Sequence, residues 1–566
     1  MSEEALSRKV EPLPAEQATS QATPELPAAP LPIAAPASSR RGLLIGLALV
    51  MVWSISIVVL TYRASNRFNA MNLVETDASY WLANVGILLQ SVGHWPWLQG
   101  FRTPVPFHSS ELATDVYVLH NLVAWVFAPL LPVRAAVASI LNGIWYVVMA
   151  ISVYLLFLRY TFGAWRVAAL AASGFIVASP LLPRTTYGGL SNLDPNFVGF
   201  ALGTSVLCWV LLTQSLRKRW AAVVLGLLTG LLVFGRVYTL GVIVPIAVPF
   251  ALVSLWRDRK QRPFQGLLRW LLAILAAVAT CGWWLIPHLH LVLIYPFQFN
   301  NTSTAVLQRH TFLEGLGRWF RFLWENVLAN KPLVIVLGWV FLFQVYVAIR
   351  ERKWPRPHLL ALWMAICPLM VFSKMGTVFP GYGPIILIGL FLFLLVPFRD
   401  APLRAWRQPV FEVALGVAVA ISGFLFLRSM QLLHDATRVS KATSLDALNL
   451  IRDDARAHGK SRASIGLIHW GVLHDAALLD LLIYDEGFRV DTADYPVHAE
   501  RGSQDFVVKM MAVDIWRWNP AMFPHQALTP KRWVRHVLNN ADYVIALQHD
   551  RHSREVQRPA YRFWIE

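Results

Sequence analysis

Long apolar runs separated by short polar loops dominate the chain between residues 42 and 428. Most of these runs hold about 20 nearly uncharged residues, the length that a helix needs to cross the hydrocarbon layer of a bilayer. The pattern therefore predicts a polytopic α-helical membrane protein. The eleven predicted spans are 42–62, 134–158, 164–182, 197–215, 220–235, 238–256, 268–290, 332–349, 358–373, 379–397 and 410–428.

One further apolar stretch, 113–131, contains His120 and Asn121, and its pattern alone does not decide whether it crosses the membrane. The positions of the basic loops decide whether this stretch crosses. If 113–131 lies at the membrane surface, every short basic loop falls on the same side as Arg40 and Arg41, as the positive-inside rule requires. If it crossed, most of these loops would face outward. We therefore predict that it does not cross, that the N-terminus is cytoplasmic and that the C-terminus is extracytoplasmic.

The composition agrees with a membrane protein and excludes other classes. Hydrophobic residues make up 56% of the 566 residues, charged residues make up 15%, and the mean hydropathy is +0.48. A chain this apolar is not intrinsically disordered, and its 3 cysteines without a CxxC pair do not indicate a disulfide framework or a structural zinc site. Much of the net charge of +17 lies in predicted cytoplasmic loops, so it does not require a nucleic-acid partner.

The two ends of the chain differ in composition from its apolar middle. The N-terminal end is rich in Pro, Ala, Glu and Ser and predicts a disordered tail. Near the C-terminal end, 444–457 suits an amphipathic helix, and the short apolar runs 464–468 and 543–547 are typical of strands. The expected parts are a cytoplasmic tail over 1–40, a membrane domain over 41–430 with its first periplasmic loop at about 63–133, and a small α/β periplasmic domain over 431–566.

Acidic residues stand at two places on the predicted outer side. Glu75-Thr76-Asp77 precedes an aromatic, amphipathic run, and Asp194 comes directly before Pro195 at the start of a span. Each has an ordinary explanation, because the first pair could lie in a solvated loop and Asp194 could cap a helix. The alternative is that the three carboxylates converge as one acidic site.

Three cations occupy the predicted outer side, where the positive-inside rule disfavours them: Arg184, Arg236 and Lys374. Contact of long side chains with lipid headgroups is one explanation. Cations in this place are also typical of a site for an anionic ligand such as a lipid phosphate. Residues 311–328 predict an amphipathic interfacial helix, which could wall the entrance for a lipid substrate.

This order of features resembles the GT-C superfamily of integral-membrane glycosyltransferases, which includes protein O-mannosyltransferases and aminoarabinose transferases. In that superfamily a large outer loop opens with an acidic motif after the first span, and a second acidic residue follows in the next outer loop. Glu75-Thr76-Asp77 matches the first motif, and Asp194 matches the second position. The His-Pro-Pro and Pro-Pro-Leu-Tyr signatures of those branches are absent, and the nearest counterpart is the segment 103–108, which ends in His108.

The resemblance implies a GT-C fold and an inverting glycosyltransferase, which moves a sugar from a polyprenyl-phosphate donor to a glycan, lipid or protein acceptor at the periplasmic face. It implies that Asp77 is the general base for an acceptor hydroxyl. Glu75 and Asp194 would orient the acceptor or hold a divalent cation, Mg²⁺ or Mn²⁺. The residues expected to bind the substrate and its phosphate are Arg184, Arg236, Lys374, His108 and Tyr187.

Two other classes stay open: a transporter or flippase of lipid-linked glycans, and a non-catalytic assembly subunit. A transporter predicts ionisable residues near the middle of the spans and internal repeats, whereas the predicted spans hold almost no charge. The Pro- and Ala-rich tail and the lack of an organelle signal favour a bacterial inner membrane. The expected partners are a polyprenyl-phosphate sugar, its acceptor and membrane lipids.

Overall fold

The computed structural model describes helices of the apolar region and parts of the C-terminal region. The described ranges are 40–68, 119–132, 136–160, 195–212, 218–258, 263–300, 311–327, 359–373, 449–467, 489–491, 507–511 and 539–545, with single positions between them. The predicted spans that lie wholly or mostly outside these ranges are 164–182, 332–349, 379–397 and 410–428.

The described helices follow one another in the order that the apolar pattern predicts. They are α1 (Arg40–Phe68), α2 (Leu119–Phe127), α3 (Val137–Tyr160), α4 (Pro195–Leu212), α5 (Arg219–Arg236), α6 (Leu240–Asp258), α7 (Pro263–Asn300), α8 (Phe312–Val327) and α9 (Leu359–Phe372). A 3-10 turn, Ala128–Leu130, follows α2, and another, Val237–Thr239, joins α5 to α6. A further helix, α10, covers 449–457.

Within the described part of the chain, four helical stretches are long and apolar enough to cross a membrane. They are Gly42–Arg63, Val137–Leu158, Arg219–Val253 and Phe264–Pro287. The third stretch contains two predicted spans, because α5 and α6 are separated only by a 3-10 turn. A polytopic helical membrane protein is therefore confirmed, while the total of eleven spans stays a prediction.

The packing of α1 against α3 tests whether the chain crosses the membrane between them. A Cβ added at Gly46, early in α1, would overlap the side chain of Tyr154, late in α3. A Cβ added at Gly143, early in α3, would lie 2.6 Å from Cγ1 of Val58, in the second half of α1. The two helices are therefore antiparallel. If the segment 113–131 crossed the membrane, they would be parallel, so the packing agrees with the prediction that it does not cross.

α5 and α7 pack closely and run in the same direction. A Cβ added at Gly226 in α5 would overlap the carbonyl oxygen of Ala273 in α7, and one added at Gly230 would lie 2.5 Å from Cβ of Thr280. Small residues four apart on one helix allow such close approach between backbones. Because α6 lies between α5 and α7 in the chain, it has to return in the opposite direction. These three helices thus alternate in direction, as the basic loops predict.

Proline removes a backbone hydrogen bond inside α6, and a side chain of α9 replaces it. Pro249 has no N–H, so the carbonyl of Pro245 lacks the donor that a helix normally supplies four residues later. Nε1 of Trp363 donates to this carbonyl at 3.3 Å. Hydrocarbon offers no water to such a carbonyl, so the tryptophan ties the two helices together.

α7 is longer than the span predicted for it. Its 38 residues rise by about 57 Å, whereas the hydrocarbon layer is about 30 Å thick. The sequence predicted a span over 268–290, and the helix continues through Pro287 and Pro296 to Asn300. The prediction concerned only the stretch that crosses the membrane, and the helix extends beyond this stretch at both ends.

α8 begins with a reciprocal cap and packs on α9 through one aromatic pair. The backbone N–H of Thr311 donates to the carboxylate of Glu314 at 2.8 Å, and the N–H of Glu314 donates to the Thr311 hydroxyl at 3.3 Å. Trp319 is buried and stacks on Phe372 of α9, with ring centroids 5.3 Å apart. Phe320, on the other side of the helix, is exposed. The helix predicted over 311–328 is therefore present, with an apolar surface that the described protein only partly covers.

Four parallel strands form a sheet in the C-terminal region. They are β1 (Arg462–Leu467), β2 (Arg489–Asp491), β3 (Val507–Met511) and β4 (Tyr543–Ile545), in the spatial order β2-β3-β1-β4. β1 and β4 coincide with the strands predicted at 464–468 and 543–547, and α10 lies inside the helix predicted at 444–457. The parallel order is the one expected of an α/β segment. Its separation as a periplasmic domain stays a prediction.

Asp542 holds the start of β4 against β1. Its carboxylate accepts hydrogen bonds from Nζ of Lys460 and from both the backbone N–H and the hydroxyl of Ser464, each at 2.8 Å. The hydrogen bond from Lys460, followed by those from Ser464, lowers the pKa of Asp542 to about 2. The carboxylate therefore stays ionised at neutral pH, and the contact between the strands is kept.

Replacing Trp363 with Phe is expected to destabilise the protein, because the carbonyl of Pro245 loses its donor. The expected loss is about 1–3 kcal/mol, and the additional change Pro249→Ala should remove most of it by restoring an N–H in α6. Thermal unfolding of the detergent-solubilised single and double variants measures both effects. The control is Trp53→Phe, since Nε1 of Trp53 is buried without a hydrogen-bond partner. An equal loss with and without Pro249 would contradict the proposed role of the hydrogen bond.

Candidate functional site

Arg236 is the sequence-predicted site residue that lies within the described ranges. It is the last residue of α5, it is half-buried, and its extended backbone (φ −166°, ψ 90°) begins the 3-10 turn. On the predicted topology this end of α5 faces outward. The other predicted site residues, which lie outside the described ranges, are Glu75, Asp77, His108, Arg184, Tyr187, Asp194 and Lys374.

The first turns of α4 pack directly on Arg236. A Cβ added at Gly199 would lie 2.6 Å from Oγ1 of Thr239 and 2.9 Å from Cδ of Arg236. Any larger residue at this position would displace one of these side chains. α4 begins at Pro195, directly after Asp194 in the chain. The helix that follows the second acidic position therefore contacts the predicted phosphate-binding cation.

The 3-10 turn that follows Arg236 is also held by α7. The hydroxyl of Tyr238 donates to the carbonyl of Val292 at 3.2 Å. This carbonyl has no donor within its own helix, because the residue four positions later is Pro296. The backbone next to Arg236 is thus fixed to the second half of α7 by the same kind of bond that joins Trp363 to α6.

A chain of buried polar groups joins α2, α3 and the second outer loop. Nε2 of His120 lies 3.0 Å from Oδ1 of Asn142, and Nδ2 of Asn142 donates to the carbonyl of Leu190 at 3.2 Å. His120 is 4% exposed, Asn142 is 0% exposed and Leu190 is 2% exposed. Leu190 comes four residues before Asp194 in the sequence. Within the described residues, these two hydrogen bonds therefore connect α2, in the predicted first outer loop, with Leu190, which precedes the second acidic position.

Burial fixes the charge state of His120. It lowers the pKa of the imidazole from 6.5 to about 4, and the hydrogen bond with Asn142 offsets only part of this shift. α2 belongs to the segment that the basic loops predict not to cross the membrane, which places His120 outside the predicted spanning helices. The side chain is neutral at neutral pH and acts as a hydrogen-bonding group, not as a cation.

Neither His120 nor Tyr238 was among the residues that the sequence singled out for the site. The signals that could have found them are weak. Asn142 is the sole amide side chain in the predicted span 134–158, which indicates a buried partner. Tyr238 becomes informative only together with Pro296, which frees the carbonyl of Val292. Val292 lies 54 positions after Tyr238, so the two are neighbours in space and not in sequence.

The described ranges offer no metal site. No group of three or more His, Cys, Asp or Glu side chains within them is arranged to hold a metal ion. Glu75 and Asp194, the residues expected to do so, lie outside these ranges.

No protein-family model matches the chain, and no curated protein matches it. Two solved structures of ArnT from Cupriavidus metallidurans are similar to it. The one bound to undecaprenyl phosphate has a TM-score of 0.45 and 14% identity, and the match covers 81% of this chain and 89% of that one. The one in the apo state has a TM-score of 0.48 and 12% identity, and the match covers 90% and 94%.

The structure comparison therefore returns proteins of the type that the sequence resembles, the aminoarabinose transferases. At 12% and 14% identity and TM-scores below 0.5, these matches assign no role to any residue of this chain.

Acidification is expected to destabilise the wild-type protein through His120. Because its folded-state pKa is lowered from 6.5 to about 4, the unfolded chain binds this proton first as the pH falls. The stability from neutral His120 is fully present above about pH 6.5 and is lost towards pH 4, and about 2 kcal/mol is gone at pH 5.

Thermal unfolding of the detergent-solubilised protein at pH 7 and pH 5 checks this expectation. The midpoint should fall further in the wild type than in His120→Gln, because glutamine keeps a donor but does not titrate. Equal falls in the two proteins would show that another group causes the acid sensitivity.

Proposed function

We propose that this chain is a glycosyltransferase that moves a sugar from a polyprenyl-phosphate donor to an acceptor at the outer face of a bacterial inner membrane. The observation that carries the proposal is the position of Arg236. It ends α5 on the predicted outer side, half-buried, and packs on the helix that begins directly after Asp194. A cation fixed in this way beside an acidic position suits a substrate that combines a phosphate with sugar hydroxyls.

Arg236 is suited to a phosphate for physical reasons. The positive-inside rule disfavours a cation at this end of the helix, and an anionic ligand would favour one there. A guanidinium offers several donors in a plane that matches two phosphate oxygens. Partial burial strengthens this attraction, because the surroundings screen charge less than water does. The Tyr238 hydrogen bond and the close approach of Gly199 keep its backbone in place.

The reaction that we propose is an inverting displacement. Asp77 removes the proton from an acceptor hydroxyl, whose oxygen attacks the anomeric carbon of the donor sugar from the side opposite the phosphate. The bond between that carbon and the phosphate oxygen breaks, and polyprenyl phosphate leaves with the electron pair. Attack from the opposite side inverts the configuration at the anomeric carbon.

The remaining site residues support this step in our proposal. The leaving phosphate gains negative charge in the transition state, and nearby cations stabilise it. The cations proposed for this role are Arg236, Arg184 and Lys374. Glu75 and Asp194 orient the acceptor or hold a divalent cation such as Mg²⁺ or Mn²⁺, and His108 and Tyr187 contact the substrate.

A transfer assay separates this proposal from a transporter and from an assembly subunit. The purified protein in lipid nanodiscs is incubated with a radiolabelled sugar on undecaprenyl phosphate, the lipid present in one of the similar ArnT structures. Label that moves to a water-soluble or lipid acceptor supports the enzyme. Translocation of the lipid across vesicles without transfer would favour the transporter and overturn the proposal.

Replacing Asp77 with Asn is expected to lower the transfer rate by at least about 10²-fold, because the amide cannot accept the hydroxyl proton. The unfolding midpoint should stay close to that of the wild type. The matched control is Asp453→Asn, which neutralises an exposed carboxylate on α10. An Asp77→Asn protein that folds normally and keeps full transfer activity would overturn the assignment of the base.

Replacing Arg236 with Gln is expected to raise KM for the donor about tenfold and to lower kcat as well, because the cation binds the phosphate before and during its departure. Initial rates at varied donor concentration measure both constants. Arg219→Gln is the control, since Arg219 begins the same helix at its opposite end. If both variants change KM by the same factor, the proposal that Arg236 contacts the phosphate directly is wrong.

A further inference from the structure

The hydrogen bonds from His120 to Leu190 have a single consistent direction. The Leu190 carbonyl only accepts, so the amide nitrogen of Asn142 has to face it. Oδ1 of Asn142 then faces the imidazole and also only accepts. Nε2 of His120 therefore carries the hydrogen. Each of the three groups is buried, and the two hydrogen bonds run in one direction from His120 to Leu190.

The segment between Leu190 and α4 is held at both ends. On one side the carbonyl of Leu190 is bound by Asn142. On the other side α4 starts at Pro195, and its Gly199 packs on the 3-10 turn after Arg236. Leu193, between the two anchors, is fully buried. Asp194 comes between Leu193 and Pro195 in the chain, so residues that the structure describes stand directly before and after it.

We propose that His120 and Asn142 are positioning residues, which hold the Leu190 end of the second outer loop against α2 of the first outer loop and thereby set the position of Asp194. This inference rests on the proposed function, in which carboxylates from the two outer loops act on one substrate. Neither residue touches the substrate. Their effect is exerted through the backbone of Leu190, and a shift of about 1 Å in a reacting group is enough to cost about 10²-fold in rate.

If His120 and Asn142 had a purely structural role, the same substitutions would have a different effect. They would lower the stability of the whole bundle and leave the remaining folded molecules fully active. A positioning role changes kcat and the local mobility of the loop while the bundle stays folded. The chain provides a matched control in Ser152 of α3, which is 2% exposed and accepts a hydrogen bond from Nε1 of Trp209 in α4 at 3.2 Å. Ser152→Ala breaks a buried link of the same helix without touching the loop.

The test uses the full-length protein in nanodiscs with four variants: His120→Leu, His120→Gln, Asn142→Ala and Ser152→Ala. Amide hydrogen exchange is measured on peptides that cover 186–195 and, for reference, on peptides from α5. Transfer kinetics with the radiolabelled polyprenyl-phosphate sugar give kcat and the donor KM. The hydrogen-exchange measurement does not depend on transfer activity. If the wild type shows no transfer, the proposed function is wrong, and the exchange data still decide whether His120 and Asn142 hold the loop.

The expected result has three parts. His120→Leu and Asn142→Ala exchange at least about tenfold faster over 186–195 and lose at least about tenfold in kcat, with the donor KM within about threefold of wild type. His120→Gln stays close to wild type in both measurements, because its amide nitrogen keeps a donor towards Asn142. Ser152→Ala changes neither.

Three results would overturn the inference. Unchanged exchange over 186–195 in both His120→Leu and Asn142→Ala would show that the bonds do not hold the loop. Equal effects of Ser152→Ala would indicate general loosening of the bundle. His120→Gln behaving like His120→Leu would show that the hydrogen bond is not the relevant feature. If Asn142→Ala fails to fold, the pair His120→Leu and His120→Gln decides between these outcomes.

Discussion

Burying a polar group in the apolar bundle costs free energy unless the protein supplies a hydrogen-bond partner, and several contacts between the helices follow from this constraint. Hydrocarbon cannot replace a missing hydrogen bond, whereas water can. Serine and threonine side chains meet the constraint locally: Ser54, Thr61 and Ser205 each donate to the carbonyl four residues earlier in their own helix. Other polar groups are paired between helices, as in Trp363 with Pro245, Tyr238 with Val292 and Trp209 with Ser152, and these pairs connect neighbouring helices.

The prolines show how the constraint becomes specific. A proline in a helix frees one carbonyl at a known position, and only a donor from a neighbouring element can reach it. Trp363 supplies this donor to α6 and Tyr238 supplies it to α7. The Tyr238 bond matters most for the candidate site, because it lies two residues from Arg236. The backbone beside the proposed phosphate ligand is thus fixed by the same requirement that holds the rest of the bundle together.

The sequence predicted the helices better than it predicted their contacts. Apolar length locates α1, α3 and α7, since a span needs a run of nearly uncharged residues. Charge asymmetry predicted that 113–131 does not cross, and the antiparallel packing of α1 on α3 agrees. The continuation of α7 to Asn300 was not predicted, because the apolar run locates the stretch that can cross the membrane and not the end of the helix.

The candidate site could be predicted only in outline. Arg236 was singled out, together with Arg184 and Lys374, because few cations occupy the side of a membrane protein where the positive-inside rule disfavours them. The links from His120 to Leu190 and from Tyr238 to Val292 join residues that are 70 and 54 positions apart, and no local pattern marks such pairs. Such bonds depend on how the helices pack, which one sequence does not state.

The order β2-β3-β1-β4 has a consequence for how the C-terminal sheet assembles. β1 is the first strand to be synthesised and a central one, yet its partner β4 pairs with it 78 residues later. Such distant pairing carries a large loop-closure cost and is slow. Until Tyr543–Ile545 have been synthesised, the edge of β1 that pairs with β4 has no neighbour. A chain that stops before Tyr543 would keep this strand edge open, and an open edge favours aggregation.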